Sequence, residues 1–128
     1  HLVQRRESME SLLEVQRDIF RVCGELAMVA KPLKNPMSEA DADRIHAYIE
    51  RFEAELKLSG FVVPGNTPQS ARLDICRTVA RRAERRVVAL AREAEVSAAL
   101  MAYVNRLSDL LFIMARLEEA GEGKILYR

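Results

Sequence analysis

Apolar positions recur along most of the chain at the three- and four-residue spacing of an α-helix, and four such stretches account for nearly all of it. The first runs from Leu2 to about Lys31. Met9, Leu12, Leu13, Ile19, Phe20, Cys23, Leu26 and Ala27 form the stripe expected to face a core. The segment Lys31-Pro-Leu-Lys-Asn-Pro36 ends it, because a proline lacks the amide hydrogen and its ring clashes with the preceding turn. Ser38 is the expected N-cap of the second helix, with Glu39 and Asp41 in a first turn whose dipole end is positive. Ile45, Tyr48, Ile49, Phe52 and Leu56 give that helix one clean apolar face, and it should stop near Leu58.

The apolar stretch Gly60-Phe-Val-Val-Pro-Gly-Asn-Thr-Pro68 is the one segment that does not read as helix. Thr67 can cap a third helix with Pro68 at its first position, where the missing amide would have had no partner anyway. This helix extends to about Glu93. Ser97 caps a fourth, which ends near Ala120 ahead of Gly121-Glu-Gly123 and a short tail from Lys124 to Arg128. Four long helices with short connections in 128 residues predict an all-α, up-and-down bundle forming a single domain over residues 1–128.

Composition adds little to that picture but narrows the function. Hydrophobic residues are 49% and charged residues 30% of the chain, which suits a folded domain rather than a disordered one. The net charge of +1 supplies no global field for nucleic acid or an acidic membrane, so any anion site must come from local clustering. No apolar run reaches the ~20 residues a membrane span needs, and no signal peptide is visible, so a cytoplasmic protein is expected. Cys23 and Cys76 fall among apolar neighbours and are expected to be buried, reduced thiols. His1 and His46 have no ligand-type neighbours at metal-binding spacing, so no protein-held metal is expected, and His46 reads as a surface or packing residue. Met28, Met37, Met101 and Met114 read as gap-fillers. The chain opens at His1 without an initiator Met, which raises the expectation that it lacks a natural N-terminal segment.

The third helix carries the chemistry. At 100° per residue Asp74, Arg77, Arg81, Glu84, Arg85 and Val88 share one arc, while Leu73, Cys76, Ala80, Ala83, Val87 and Leu90 can serve the core. Three arginines stacked a turn apart repel one another, by about 0.2–0.5 kcal/mol per pair. Two readings follow: a solvated or salt-bridged face, with Asp74 and Glu84 offsetting the repulsion, or a face that grips an anion through planar, bidentate guanidinium groups. On the fourth helix Asn105, Asp109 and Phe112 align on one side, and Leu107, Leu111 and Met114 on another. Asp109 can either orient an arginine of the third helix or form an ordinary inter-helix salt bridge, and Asn105 can hydrogen-bond a ligand.

These residues resemble a known family. "RTVARRAERRVVAL" followed by "VNRLSDLLFIMAR" is similar to the PduO-type ATP:cob(I)alamin adenosyltransferases, as are "GFVVPGNTPQSARLDICR" and "LLEVQRDIFRVCGELA". The resemblance implies a homotrimer of bundles, five helices each, with active sites between subunits. It implies transfer of the 5′-deoxyadenosyl group of MgATP to cob(I)alamin, with triphosphate leaving and a cob(II)alamin reductase as a partner. It assigns Arg81, Arg82, Glu84 and Arg85 to the nucleotide, with Asn105, Arg106 and Asp109 in the second motif. Arg77 would pair with an acidic residue across the subunit boundary near the corrin, and Phe61 would cover the lower axial face of cobalt. The family's N-terminal phosphate loop, K-T-G-D-x-G-x-T, and the helix after it are missing from this sequence. Asn66 stands where the family's loop has a second glycine, and is expected to tolerate a left-handed backbone there. The competing expectations are a non-catalytic corrinoid- or nucleotide-binding bundle and a purely structural oligomerisation module.

Overall fold

The computed structural model describes residues 2–28 and 33–128. It contains α1 (Leu2–Ala27), α2 (Glu39–Glu55), β1 (Val62–Val63), α3 (Pro68–Ala91), α4 (Ala98–Gly121) and β2 (Leu126–Tyr127). The predicted extension of the first helix to Lys31 falls partly on residues 29–32, outside the described residues; the helix itself ends at Ala27. Side-chain pairs fix the direction of each helix. Arg5 with Glu118, and Tyr103 with Asp18, run α1 against α4; Arg44 with Asp18 runs α2 against α1; Arg116 with Asp74, and Asn105 with Glu84, run α3 against α4. The topology is up-and-down, as the periodicity predicts.

α4 is the axis of the bundle. Leu100, Tyr103, Leu110 and Ala115 are fully buried, and α2 and α3 pack most closely against it. It is also the one described helix long and apolar enough, by length and composition, to cross a membrane, which corrects the expectation that no segment reaches that length. Its apolarity has a packing cause: most of that stretch lies inside the bundle, where a helix needs hydrophobic residues all round. The predicted α2 face is correct, with Ile45 and Phe52 fully buried and Tyr48 stacked on Phe52 at 5.8 Å between centroids.

The predicted face of α1 is only partly the core face: Leu12 and Leu26 pack against the core, but they are not its centre. Ser11, Val15, Asp18 and Val22 point inward, whereas Met9, Leu13, Ile19, Phe20 and Cys23 are exposed. The apolar residues of α1 are distributed to either side of a partly polar seam, so counting hydrophobics misplaces the centre of the inward face. The seam is polar because it is bridged by charge. Tyr103 donates to Asp18 (2.8 Å), and Arg44 reaches Asp18 (3.0 Å) and Asp41 (2.9 Å). Arg21 donates to both oxygens of Asp41 (2.9 and 3.0 Å). Those bonds, Arg21 first, hold the Asp41 carboxyl well below the usual carboxylate range. Burial, reinforced by the Asp18 carboxylate, pushes the Tyr103 phenol well above its ordinary value.

Both cysteines are exposed and free, not buried. On α3, Cys76, Ala83 and Leu90 are exposed as well, and on α1's end Met28 is half-exposed rather than filling a gap. The helix starts follow the predicted caps: the Ser70 amide donates to Thr67 Oγ1 (3.0 Å) and the Leu100 amide to Ser97 Oγ (3.1 Å). His46 lies on the surface beside Glu50. The short tail supplies β2, which pairs antiparallel with β1 so that Val62 faces Tyr127 and Val63 faces Leu126.

Candidate functional site

Along the outer seam of α3 and α4, Glu84 is a hub. It sits one turn after Arg81, whose Nη1 donates to its Oε1 at 2.9 Å, and across from Asn105, whose Nδ2 donates to its Oε2 at 2.6 Å. The Glu84 side chain is 12% exposed and that of Arg81 50%, so the carboxylate is sheltered while the guanidinium faces outward. Three of the predicted site residues therefore form one connected group. Arg77, Arg82, Arg85, Arg106 and Asp109 have no hydrogen-bond or ion-pair partner among the described residues, and the Arg77 Nε is buried with none. Asp109 neither orients an arginine of α3 nor locks the two helices, so both expectations for it fail here. Asp74 does not offset the arginine stack either: it turns into the bundle.

A charged face with several guanidinium groups left unpaired can bind a polyanion without first breaking intramolecular pairs, and charge-assisted bonds to it contribute about 1.5–3 kcal/mol each. Arg81 alone is tied to a carboxylate of its own bundle, so the salt-bridged reading of the whole face does not hold.

Phe61 is remote from this group. It sits before β1, beyond the N-terminal end of α3, and Arg81 lies eleven residues into the chain from Ser70, about 16 Å at 1.5 Å per residue. Its ring is 85% exposed, and its carbonyl accepts from the Arg128 amide at 2.9 Å. The turn that follows takes its left-handed residue at Gly65 (φ +77°); no residue other than glycine has positive φ among the described residues, so Asn66 does not play the part expected of it.

What the sequence reading missed is the charge beneath that turn. Arg116 is completely buried, with Nη2 2.6 Å from Asp74 Oδ2 and Nε 2.9 Å from Glu119 Oε1, the latter an ion pair without hydrogen-bond alignment. Glu119 Oε2 accepts from Ser70 Oγ (2.7 Å) and from the Asn66 amide (2.9 Å); Asp74 Oδ2 accepts from the Gly65 amide (2.9 Å). The available signal was Arg116 and Glu119 following the apolar run 110–115 of α4, a spacing of three that places both on one side. Among the described residues, no three His, Cys, Asp or Glu side chains gather as a metal site.

The structure is thus an all-α bundle with a sheltered carboxylate between two outward polar groups, a row of arginines unpaired among the described residues, and an exposed aromatic on a braced loop. The chain belongs to the cobalamin adenosyltransferase family, whose model matches residues 1–118. It is 37% identical over 113 residues to a corrinoid adenosyltransferase of Bacillus subtilis, covering 88% of this chain and 58% of that protein. It is 40% identical over 119 residues to the corrinoid adenosyltransferase PduO of Salmonella typhimurium, covering 89% of this chain and 35% of that one. Among solved structures, a variant PduO-type ATP:corrinoid adenosyltransferase from Lactobacillus reuteri, complexed with cobalamin and ATP, superposes with a TM-score of 0.85 at 27% identity. That match covers 98% of this chain and 70% of the other. The chain thus spans roughly a third to three fifths of these two curated relatives.

Proposed function

We propose that this chain is the helical core of an ATP:cob(I)alamin adenosyltransferase. The reaction forms a bond between cobalt and C5′ of ATP and breaks the C5′–O bond. Cobalt supplies the electron pair, and triphosphate departs with the pair of the broken bond. The observation that carries the reading is the Arg81–Glu84–Asn105 group flanked by unpaired Arg77, Arg82, Arg85 and Arg106.

Each residue has a physical task. Glu84 holds Arg81 and Asn105 in fixed orientations, so their donors need little rearrangement when the leaving group gains charge. Arg82, Arg85 and Arg106 add positive potential along the same seam. Mg2+ would arrive on the nucleotide's phosphates. Arg77, its Nε buried and unpartnered, suits an acidic residue contributed by another subunit. The exposed Phe61 ring suits the lower face of a corrin, where an apolar cover excludes water or a base and makes cobalt easier to reduce.

The exposed apolar residues Met9, Leu13 and Phe20 of α1 and Ile75 and Val79 of α3 support a homo-oligomer, for which the trimer is our reading. The two free thiols fit a cytoplasmic setting, where a cob(II)alamin reductase would deliver the reduced substrate.

The test is an anaerobic assay of the intact protein with MgATP and cob(I)alamin. Arg81→Ala should lower turnover by about 100-fold or more, the scale of losing one oriented donor to a developing anion. Phe61→Ala should slow transfer while nucleotide affinity stays near that of the parent. Corrinoid binding without triphosphate release would point instead to a non-catalytic binder. Absence of thermal stabilisation by MgATP would point to a structural module.

A further inference from the structure

We infer that Arg116, acting through Asp74 and Glu119, is a positioning residue that sets the loop bearing Phe61. The inference rests on the role given to Phe61 above. Two consecutive backbone amides of the turn, Gly65 and Asn66, reach carboxylates from two different helices, each at 2.9 Å. Gly65, at φ +77°, supplies the backbone conformation of that turn. Arg116 Nη2 joins the two carboxylates, at 2.6 Å from Asp74 and 3.3 Å from Glu119, and its guanidinium lies 5.0 Å over the Phe112 ring. On the other side of the loop, the main chain of Phe61 is held by the Arg128 amide, and Val62 and Val63 by the β2 strand. The backbone is therefore fixed on both sides of residues 61–66, while the Phe61 side chain itself projects into solvent.

Stability alone is a poor account of this cluster. A buried ion triad is often no better for stability than well-packed apolar residues of the same volume. What the carboxylates supply, and apolar residues cannot, is acceptors for two loop amides at defined points. An aromatic that must meet a flat ligand at a fixed height needs that definition, because the ring has no packing partner of its own to set it.

The experiment uses the intact protein with Asp74→Asn and Glu119→Gln, which keep shape and remove charge, and Ser70→Ala as a milder variant. Amide hydrogen exchange at Gly65 and Asn66 should accelerate at least tenfold in the two charge variants, with the amides of α2 and mid-α4 unchanged. In the transfer assay Asp74→Asn should slow turnover with nucleotide KM within twofold, and should add less than twofold when combined with Phe61→Ala. Acceleration of exchange spread evenly over α3 and α4, or rate losses from Asp74→Asn and Phe61→Ala that multiply, would overturn the inference. If the parent protein shows no transfer, the proposed activity fails, and the exchange pattern still decides the clamp: acceleration confined to the turn upholds it, and uniform acceleration refutes it.

Discussion

Removing the guanidinium from the middle of the Asp74–Arg116–Glu119 cluster strands two carboxylates inside the fold. Arg116 is 0% exposed, and its two partner side chains are 10% and 0% exposed. Arg116→Met leaves a side chain of similar length, so little volume is lost. The loss is electrostatic: two carboxylates remain buried with only the Gly65 and Asn66 amides and the Ser70 hydroxyl to answer them. Breaking a buried pair in this way costs about 3–5 kcal/mol. For 128 residues the entropy of unfolding is about 0.27 kcal/mol/K, so Tm should fall by roughly 11–19 °C. Urea denaturation followed by circular dichroism gives the same quantity as a shift in midpoint, read with the slope unchanged. Adding Asp74→Asn and Glu119→Gln to Arg116→Met should recover part of the loss, because the orphaned buried charges disappear. A loss below about 1 kcal/mol, the scale of a surface ion pair, would refute the assignment of this cluster as a desolvated triad.

Asp41, whose carboxyl is held down first by Arg21, contributes stability that is present above the ordinary carboxylate pKa and is lost as pH falls from there toward its depressed folded value; acid unfolding of Asp41→Asn should show a shallower slope below pH ~4. Tyr103 works in the opposite sense: its raised folded pKa contributes stability below about pH 10 that is lost at higher pH, so Tyr103→Phe should flatten the alkaline limb of the stability profile, and tyrosinate absorbance from Tyr103 should appear only on unfolding. Ser97→Ala removes the acceptor for the Leu100 amide and should destabilise by about 1 kcal/mol, measured in the same urea titration. Glu84→Gln should weaken nucleotide binding less than Arg81→Ala, since Asn105 and Arg81 both remain but lose their common charged anchor.

The helices and their caps were legible because period, proline and N-cap residues are local signals: Thr67, Ser97 and Ser38 begin the elements they were expected to begin. The clean face of α2 was legible because one apolar stripe opposes one polar one. α1 was partly misread because Ser11 and Asp18 occupy the centre of its inward face, and burying Asp18 is made tolerable by Arg44 and Tyr103 of other helices together with Arg21 one turn further along α1. The same reason hid the cluster under the Phe61 loop: nothing in the sequence around Asp74 announces Arg116, 42 residues on. Motif residues behaved in two ways. Glu84 offsets the charge of Arg81 as their spacing suggested, whereas Asn105, expected to bond a ligand, donates to Glu84, a contact the sequence reading did not foresee, and Asp109, in the same motif, found no partner among the described residues.

The order of elements along the chain has a consequence for how the protein is made. α4, on which α2 and α3 find their closest packing, is synthesised after the three other described helices. Until it emerges from the ribosome, three amphipathic segments wait without the surface they are shaped to cover, and exposed apolar surface of that kind invites aggregation. Nascent chains stalled before residue 98 should therefore be open to chaperone capture, and release of that hold should coincide with the extrusion of α4.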